Sequence, residues 1–406
     1  MEHFVFHTVC ILLFLRPHMG SPIVATYGAD FVIIGLMSLG LLIKPTNFDK
    51  KLRPLLIANI SFLLVLAVIS IINAITGDHP IATVVNFGRF FYYSWFFWFL
   101  LSIMGRVPDL TSSVIRVLKW TYLVIFFVSV IQLFDLPILS NPVKVLFGSV
   151  KLRTLWSGYP RVYGTFYNAN WFGVYLVFIA LGWVSLLRLK HISLYQFLLR
   201  GISVLFLVII SGSRTALLGL TVAGTTLLLL NFGFGQLLWT AFSGPLFIYF
   251  LPLISNKYPL LAKTIARFET ALMFLRGNDL LNDELTSGRA SLWIISTEAV
   301  LAKPIFGYGD PGNPLPHNSY LTILLSFGLL GFCAFLFFLL FAFSFVTRLQ
   351  TSRSDKLNVQ NQWVFSFITG LATMSFAAEF IYTTQVMLVL LFLLAWWVSA
   401  TICDAV

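Results

Sequence analysis

Long apolar runs separated by short polar breaks dominate this chain, and runs of about 18 or more mostly apolar residues are long enough to cross a bilayer as helices. Spans are predicted at 4–15, 22–43, 54–75, 83–105, 118–136, 171–187, 197–213, 214–232, 237–254, 317–346, 363–384 and 385–402. The pattern therefore predicts an all-α integral membrane protein with about twelve transmembrane helices. Nine spans fall within residues 1–254, which include an external loop at 137–170. A large external insertion follows at 255–316, and the last three spans occupy 317–406. Met1–Leu15 lacks a basic start and a small-residue cleavage site, so it reads as a short first helix and not as a cleaved signal.

Basic residues orient the bundle. Lys44, Lys50, Lys51 and Arg53 follow the second span, and Arg106, Arg116 and Lys119 follow the fourth. Arg188, Lys190 and Arg200 surround the link after the sixth, and Arg348, Arg353 and Lys356 follow the tenth. These clusters share one side, which by the positive-inside bias is the cytoplasm, with both termini there too. The two long loops then emerge outside, where an insertion of this size is usually functional.

Both outer loops are basic. The first carries Lys144, Lys151, Arg153 and Arg161; the second carries Lys257, Lys263, Arg267, Arg276, Arg289 and Lys303. With Arg16, Arg89 and Arg214, half of the 26 Lys and Arg lie outside. Glu269, Asp279, Asp283, Glu284, Glu298 and Asp310 can pair with some cations of the second loop, but no acid lies between Asp135 and Glu269. A basic surface beside a bilayer suggests an anionic, membrane-held ligand, most simply a lipid phosphate or pyrophosphate.

Composition narrows the function further. A chain that is 59% hydrophobic and 10% charged cannot clothe a soluble surface. The net charge of +11 does not imply nucleic acid, because no basic block with interleaved aromatics lies outside the spans. Cys10, Cys333 and Cys403 make neither a CxxC nor a metal spacing. The sequence contains no P-loop, zinc motif or DxD-type carboxylate pair, so no metal and no cofactor is expected.

Three polar positions stand out. Arg214 closes Ser211-Gly212-Ser213-Arg214, a polar break between two apolar runs at the outer membrane level. An arginine there either snorkels to the interface or faces a cavity and binds something; the adjoining Gly and Ser donors favour anion binding. Arg289 follows Thr286 and Ser287, either a good N-cap for a helix running to about Lys303 before Pro304. A cation in a first turn opposes the macrodipole unless an anion shares the helix end, or unless Arg289 pairs with Asp283 or Glu284. His317 opens the tenth span behind the Gly/Pro-rich stretch from Gly307 to Pro316. A lone His at a membrane boundary is commonly just an interfacial polar residue, but an imidazole beside two arginine-bearing segments is also a candidate base.

Around these lie candidate sugar contacts. Arg161, Tyr163, Asn168 and Asn170 mix a cation, an aromatic face and amides at the threshold of the sixth span, beyond what an interfacial aromatic belt explains. Leu261, Ile265, Phe268, Leu272 and Leu275 recur at helical spacing opposite Lys263 and Arg267, as in an amphipathic helix on the outer leaflet. Asp30 and Glu379 are the other acids expected near the outer ends of spans.

In these segments the chain resembles the O-antigen ligase/polymerase superfamily of bacterial polytopic glycosyltransferases. The residues that carry the resemblance are Arg161–Asn170, Ser211-Gly212-Ser213-Arg214, and Ser287-Gly288-Arg289 with Trp293. It continues through Pro304-Ile305-Phe306-Gly307-Tyr308-Gly309 to His317-Asn318, with Gly328 and Gly331 behind, and covers about residues 150–345. The resemblance implies a C-type glycosyltransferase-like fold with a mainly helical external region and no required metal. It also implies transfer of an undecaprenyl-pyrophosphate-linked glycan to a sugar hydroxyl at the outer face of the bacterial inner membrane. On that analogy Arg214 and Arg289 hold the pyrophosphate and His317 activates the acceptor. Arg161, Tyr163, Asn168, Asn170, Ser211, Ser213, Trp293 and Asn318 would then line the substrate. The expected partners are the lipid-linked oligosaccharide and membrane lipid, with room for a chain-length regulator and none for nucleic acid.

Three activities compete. A polymerase adds a growing chain to another lipid-linked repeat, and two basic outer loops suit two pyrophosphate-bearing substrates. A ligase moves the finished glycan to lipid A-core. A flippase for lipid-linked oligosaccharide would need charge lining a path through the bilayer, whereas the ionisable residues here gather at the span ends.

Overall fold

Local chemistry sets the helix ends. Pro54 and Pro80 enter helices in the first turn, where a missing N–H costs nothing. Ser193 and Gln196 form a reciprocal capping box, and the helix they start ends at Gly212 in the left-handed conformation. The computed structural model describes residues 2–15, 30, 32–36, 50–77, 79–107, 109–134, 136–147, 162–166, 168–232, 289–310, 316–349, 355–376, 378, 380 and 383–404. Among the described residues the chain is all-helical.

In chain order the helices are α1 (Glu2–Phe14), α2 (Arg53–Thr76, entered through a short 3-10 turn at Lys50–Leu52), α3 (Pro80–Met104) and α4 (Leu110–Phe134). Next come α5 (Pro137–Phe147), α6 (Ala169–Arg188), α7 (Leu194–Ser211) and α8 (Arg214–Phe232). The last four are α9 (Arg289–Ala302), α10 (Ser319–Leu349), α11 (Asp355–Met374) and α12 (Thr384–Asp404). By length and composition six helices can cross a membrane: α2 with its entry turn, α4, α6, α7, α10 and α12. The remaining predicted spans do not meet that measure among the described residues, so the structure supports a helical membrane protein without fixing a count of twelve. The ninth span, most of the second, the amphipathic stretch at 261–275, and Glu379 lie outside the described residues.

Several expected boundaries shift. Helix α4 begins at Leu110 and not at 118, so Arg116 belongs to its second turn and not to a loop. The predicted eleventh span, 363–384, is displaced: α11 ends at Met374 and an irregular turn precedes α12. Hydropathy misses the start of α11 because its first residues are the polar Asp355, Lys356, Asn358, Gln360, Asn361 and Gln362, although Gln360 is fully buried. The 137–170 loop contains the helix α5. Asp30 is buried against the Tyr92 hydroxyl, which donates to it at 2.9 Å, twelve residues into α3 and away from the span end expected for it.

Helices α6, α8 and α11 form a tight core. A Cβ at Gly219 would meet Met374 Sδ at 2.2 Å, and one at Gly182 would meet the Trp363 ring at 2.8 Å. Small residues at such crossings let backbones approach where lipid supplies no hydrophobic drive between helices. The pairs Gly219–Met374, Thr226–Thr369 and Leu230–Gln362 show that α8 and α11 run antiparallel.

The second organising feature is a break in α10. Gly328 has φ 62° and ψ −168°, a region that only glycine occupies comfortably. The chain just after α9 docks into this break. Tyr308 and Gly309 N–H donate to Leu325 and Ser326 carbonyls at 2.6 and 2.9 Å, while Leu329 and Leu330 N–H donate to Pro304 and Ile305 carbonyls at 2.7 and 3.2 Å. Asn73 of α2 donates to the Phe306 carbonyl at 2.8 Å, and Asn86 of α3 donates to the Gly309 carbonyl at 2.8 Å. The dock has no space for side chains at two points: a Cβ on Gly307 would meet Leu325 O at 2.5 Å, and one on Gly328 would meet Ile305 O at 2.2 Å.

Two alanine substitutions should therefore have opposite signs. Gly328→Ala should lower stability by about 2 kcal/mol or more from backbone conformation and clash. Gly224→Ala, in α8 with nothing within 4 Å of the new Cβ, should raise it by about 0.5–1 kcal/mol. Thermal midpoints of the two purified variants in detergent check both signs.

Candidate active site

The three residues proposed for chemistry share one local setting. Arg214 is the first residue of α8, Arg289 the first of α9, and His317 stands just before Asn318, which caps α10. Helix N-termini present amide N–H groups and the positive end of the helix dipole, so anions are favoured beside them.

At α8 the geometry is set by Ser211-Gly212-Ser213. Gly212 turns the chain at φ 56°, and Ser213 then caps α8: its Oγ accepts from Ala216 N–H at 3.2 Å and donates to Asn170 Oδ1 at 3.0 Å. Ser211 and Ser213 are fully buried, while Arg214 is half-buried. The Ser213 cap leaves the first amides of α8 outside its own bond.

At α10 the backbone donors are spent. Asn318 Oδ1 accepts from Tyr320 and Leu321 N–H at 2.9 and 3.1 Å, and Ser319 N–H donates to Ser375 O at 2.8 Å. Ser319 Oγ donates to Ala378 O at 2.8 Å. What this end presents is therefore the exposed His317 side chain, on a residue held at φ 51°. A left-handed conformation at a non-glycine residue costs on the order of 1–2 kcal/mol and persists only where the surroundings impose it.

Helix α11 relates these two ends. Its last residue, Met374, packs on Gly219, little more than a turn from Arg214, and the next residue, Ser375, holds Ser319. Arg214 and His317 thus lie toward the same end of the bundle. Helix α9 packs along α10 and feeds the segment docked at Gly328, and Arg289 at its start is half-buried. Trp293, one turn on, keeps its indole N–H buried without a hydrogen-bond partner among the described residues.

The remaining predicted contacts divide. Arg161 lies outside the described residues. Asn168 caps α6 by accepting from Asn170 N–H at 2.8 Å, and Asn170 is tied to Ser213, so both amides have structural work at the mouth of the span. Val162, Thr165 and Phe166 are buried, and Thr165 Oγ1 donates to Phe14 O at 2.8 Å. Gln132 of α4 clasps the same turn: Oε1 accepts from Tyr163 and Gly164 N–H at 3.3 and 2.9 Å, and Nε2 donates to Gly164 O at 2.7 Å. Irregular backbone surrounded by membrane helices must find partners inside the protein, and a side-chain amide supplies both kinds. Tyr163 stays half-buried.

Sequence reasoning missed Gln132, Asn73 and Asn86, whose signal was an isolated amide in an apolar run. It also missed Gln385, buried in the first turn of α12 with its amide nitrogen unpartnered among the described residues. Below Tyr320 and Ser375 an apolar cavity of about 380 Å³ extends through the bundle to Leu55 and Trp397.

The Asn170–Ser213 bond should be measurable. A double-mutant cycle of Asn170→Ala and Ser213→Ala, read by thermal unfolding in detergent, should give a coupling of about 1 kcal/mol. Additive losses would remove its part in fixing the start of α8.

None of the curated proteins compared matches the chain. Residues 199–336 match the sequence model of the O-antigen ligase family, a segment that begins in α7 and includes Ser211–Arg214, Arg289, Trp293, His317, Asn318 and the docked Gly328. This match covers about a third of the 406 residues and supports the resemblance to the O-antigen ligase/polymerase superfamily.

Proposed function

We propose that the protein is a metal-independent membrane glycosyltransferase that polymerises surface polysaccharide repeats, using an undecaprenyl-pyrophosphate-linked glycan as donor at the outer face of the inner membrane. The observation that carries this reading is the placement of Arg214 and His317 at two helix starts joined through the end of α11, inside the segment that matches the family.

The chemistry assigned to these residues is a single displacement. An acceptor hydroxyl oxygen attacks the anomeric carbon, the bond from that carbon to the pyrophosphate oxygen breaks, and undecaprenyl pyrophosphate leaves. The hydroxyl proton passes to the His317 imidazole. Negative charge grows on the leaving diphosphate, where Arg214 and Arg289 stabilise it, each charge-assisted contact contributing on the order of 1.5–3 kcal/mol. Attack opposite the leaving group inverts the anomeric centre. The apolar cavity beneath Tyr320 has a lining suited to an isoprenoid chain.

A second reading is the ligase, which shares the donor and takes lipid A-core as acceptor; the match to the O-antigen ligase family favours it. A flippase is the third, and the polar residues at helix ends argue against it.

Deletion of the gene followed by analysis of lipid-linked glycans separates the three. Single lipid-linked repeats are the expected result. Long lipid-linked chains would make the protein a ligase, and repeats trapped on the cytoplasmic side would make it a flippase. On complementation, Arg214→Ala, Arg289→Ala and His317→Ala should each abolish product at normal protein levels, and near-wild-type product from any two would refute the site.

A further inference from the structure

At the end of the bundle away from the candidate site, α2 and α10 run antiparallel and leave a groove of about 870 Å³ along their outer seam. Its register is set by the stacked rings of Phe62 and Phe338, 5.2 Å apart, which close the floor. Ala58 and Ser61 on one wall and Ala334 on the other are too small to fill the space above them. Ile57 and Phe337, 56% and 68% exposed, stand as lips.

The groove is chemically lopsided. Lys50 and Arg53, both exposed, line one end, and among the described lining residues none is acidic. They flank the start of α2, whose first amides have no side-chain cap and add to the positive end. From Arg53 to Val65 the groove follows twelve residues of helix, about 18 Å at 1.5 Å per residue. That depth is close to one leaflet of a hydrocarbon core about 30 Å thick.

Cations at the headgroup level, an apolar trough one leaflet long and no acid among the described lining residues together select a ligand with a phosphate, a net negative charge and a hydrocarbon tail. We propose that this groove is a binding site for one anionic glycerophospholipid, with the phosphate between Lys50 and Arg53 and an acyl chain lying over Ala58, Ser61 and Ala334. The site stands apart from the proposed glycosyl transfer and does not depend on it. Basic pockets between membrane helices bind anionic headgroups on the same principle.

The test is native mass spectrometry of the full chain in non-ionic detergent, titrated separately with phosphatidylglycerol and phosphatidylcholine. One tightly held phosphatidylglycerol per chain is expected, bound roughly thirtyfold more tightly than phosphatidylcholine from two basic contacts. Lys50→Ala with Arg53→Ala should reduce phosphatidylglycerol to the level of phosphatidylcholine. Ala334→Phe, which fills the trough and keeps the charge, should weaken both lipids. Equal binding of the two lipids by the unaltered chain, or a preference that survives loss of both cations, would overturn the proposal. So would a lipid-free dimer that Ala334→Phe dissociates, because the groove would then hold a second copy. The charge variant alone decides the matter if Ala334→Phe does not fold.

Discussion

A helix broken inside a membrane bundle exposes amides and carbonyls that water cannot reach, each costing several kcal/mol if left unpaired. In this protein the break at Gly328 is repaired by Pro304–Gly309, through four backbone hydrogen bonds and two asparagines reaching in from α2 and α3. The repair fixes more than the break. It ties the end of α9, and so the helix that begins with Arg289, to the interior of α10, the helix that begins just after His317. Two segments far apart in function from the lipid-facing wall thereby become parts of one rigid assembly.

The turn at 162–166 meets the same constraint differently. Gln132 acts as a substitute strand partner, accepting from two N–H groups and donating to one carbonyl, while Thr165 reaches the end of α1. Both irregular segments adjoin candidate site residues. Irregular backbone within a membrane protein persists where neighbouring groups satisfy it, and these are the places where helix starts can be aimed at a common region.

Hydropathy made the apolar helices legible because lipid exposure demands continuous apolar surface; ten predicted spans overlap helices described here. It failed where polar helix residues are buried, as at Gln360 and Gln362 of α11, and where a basic residue rides on a helix, as with Arg116 in α4. The break in α10 was hidden because Leu329, Leu330 and Phe332 continue the apolar run across it; the two glycines at 328 and 331 were its only mark. Arg214, Arg289 and His317 were legible as polar interruptions. The capping by Asn168 and Asn318 also had a signal, since an asparagine ahead of a span is an ordinary N-cap, but sequence reasoning assigns both only to substrate contact. Gln132, Asn73 and Asn86 passed unnoticed because their partners are backbone groups distant in sequence.

Helix starts carry the proposed division of labour, with guanidiniums on the diphosphate and an imidazole on the acceptor. Equilibrium binding of undecaprenyl pyrophosphate to the purified protein and its single variants measures that division directly. Arg214→Ala and Arg289→Ala should each weaken binding by about 10- to 150-fold, the equivalent of one charge-assisted contact, while His317→Ala binds as the unaltered protein does. Unchanged affinity in both arginine variants would contradict a shared diphosphate site.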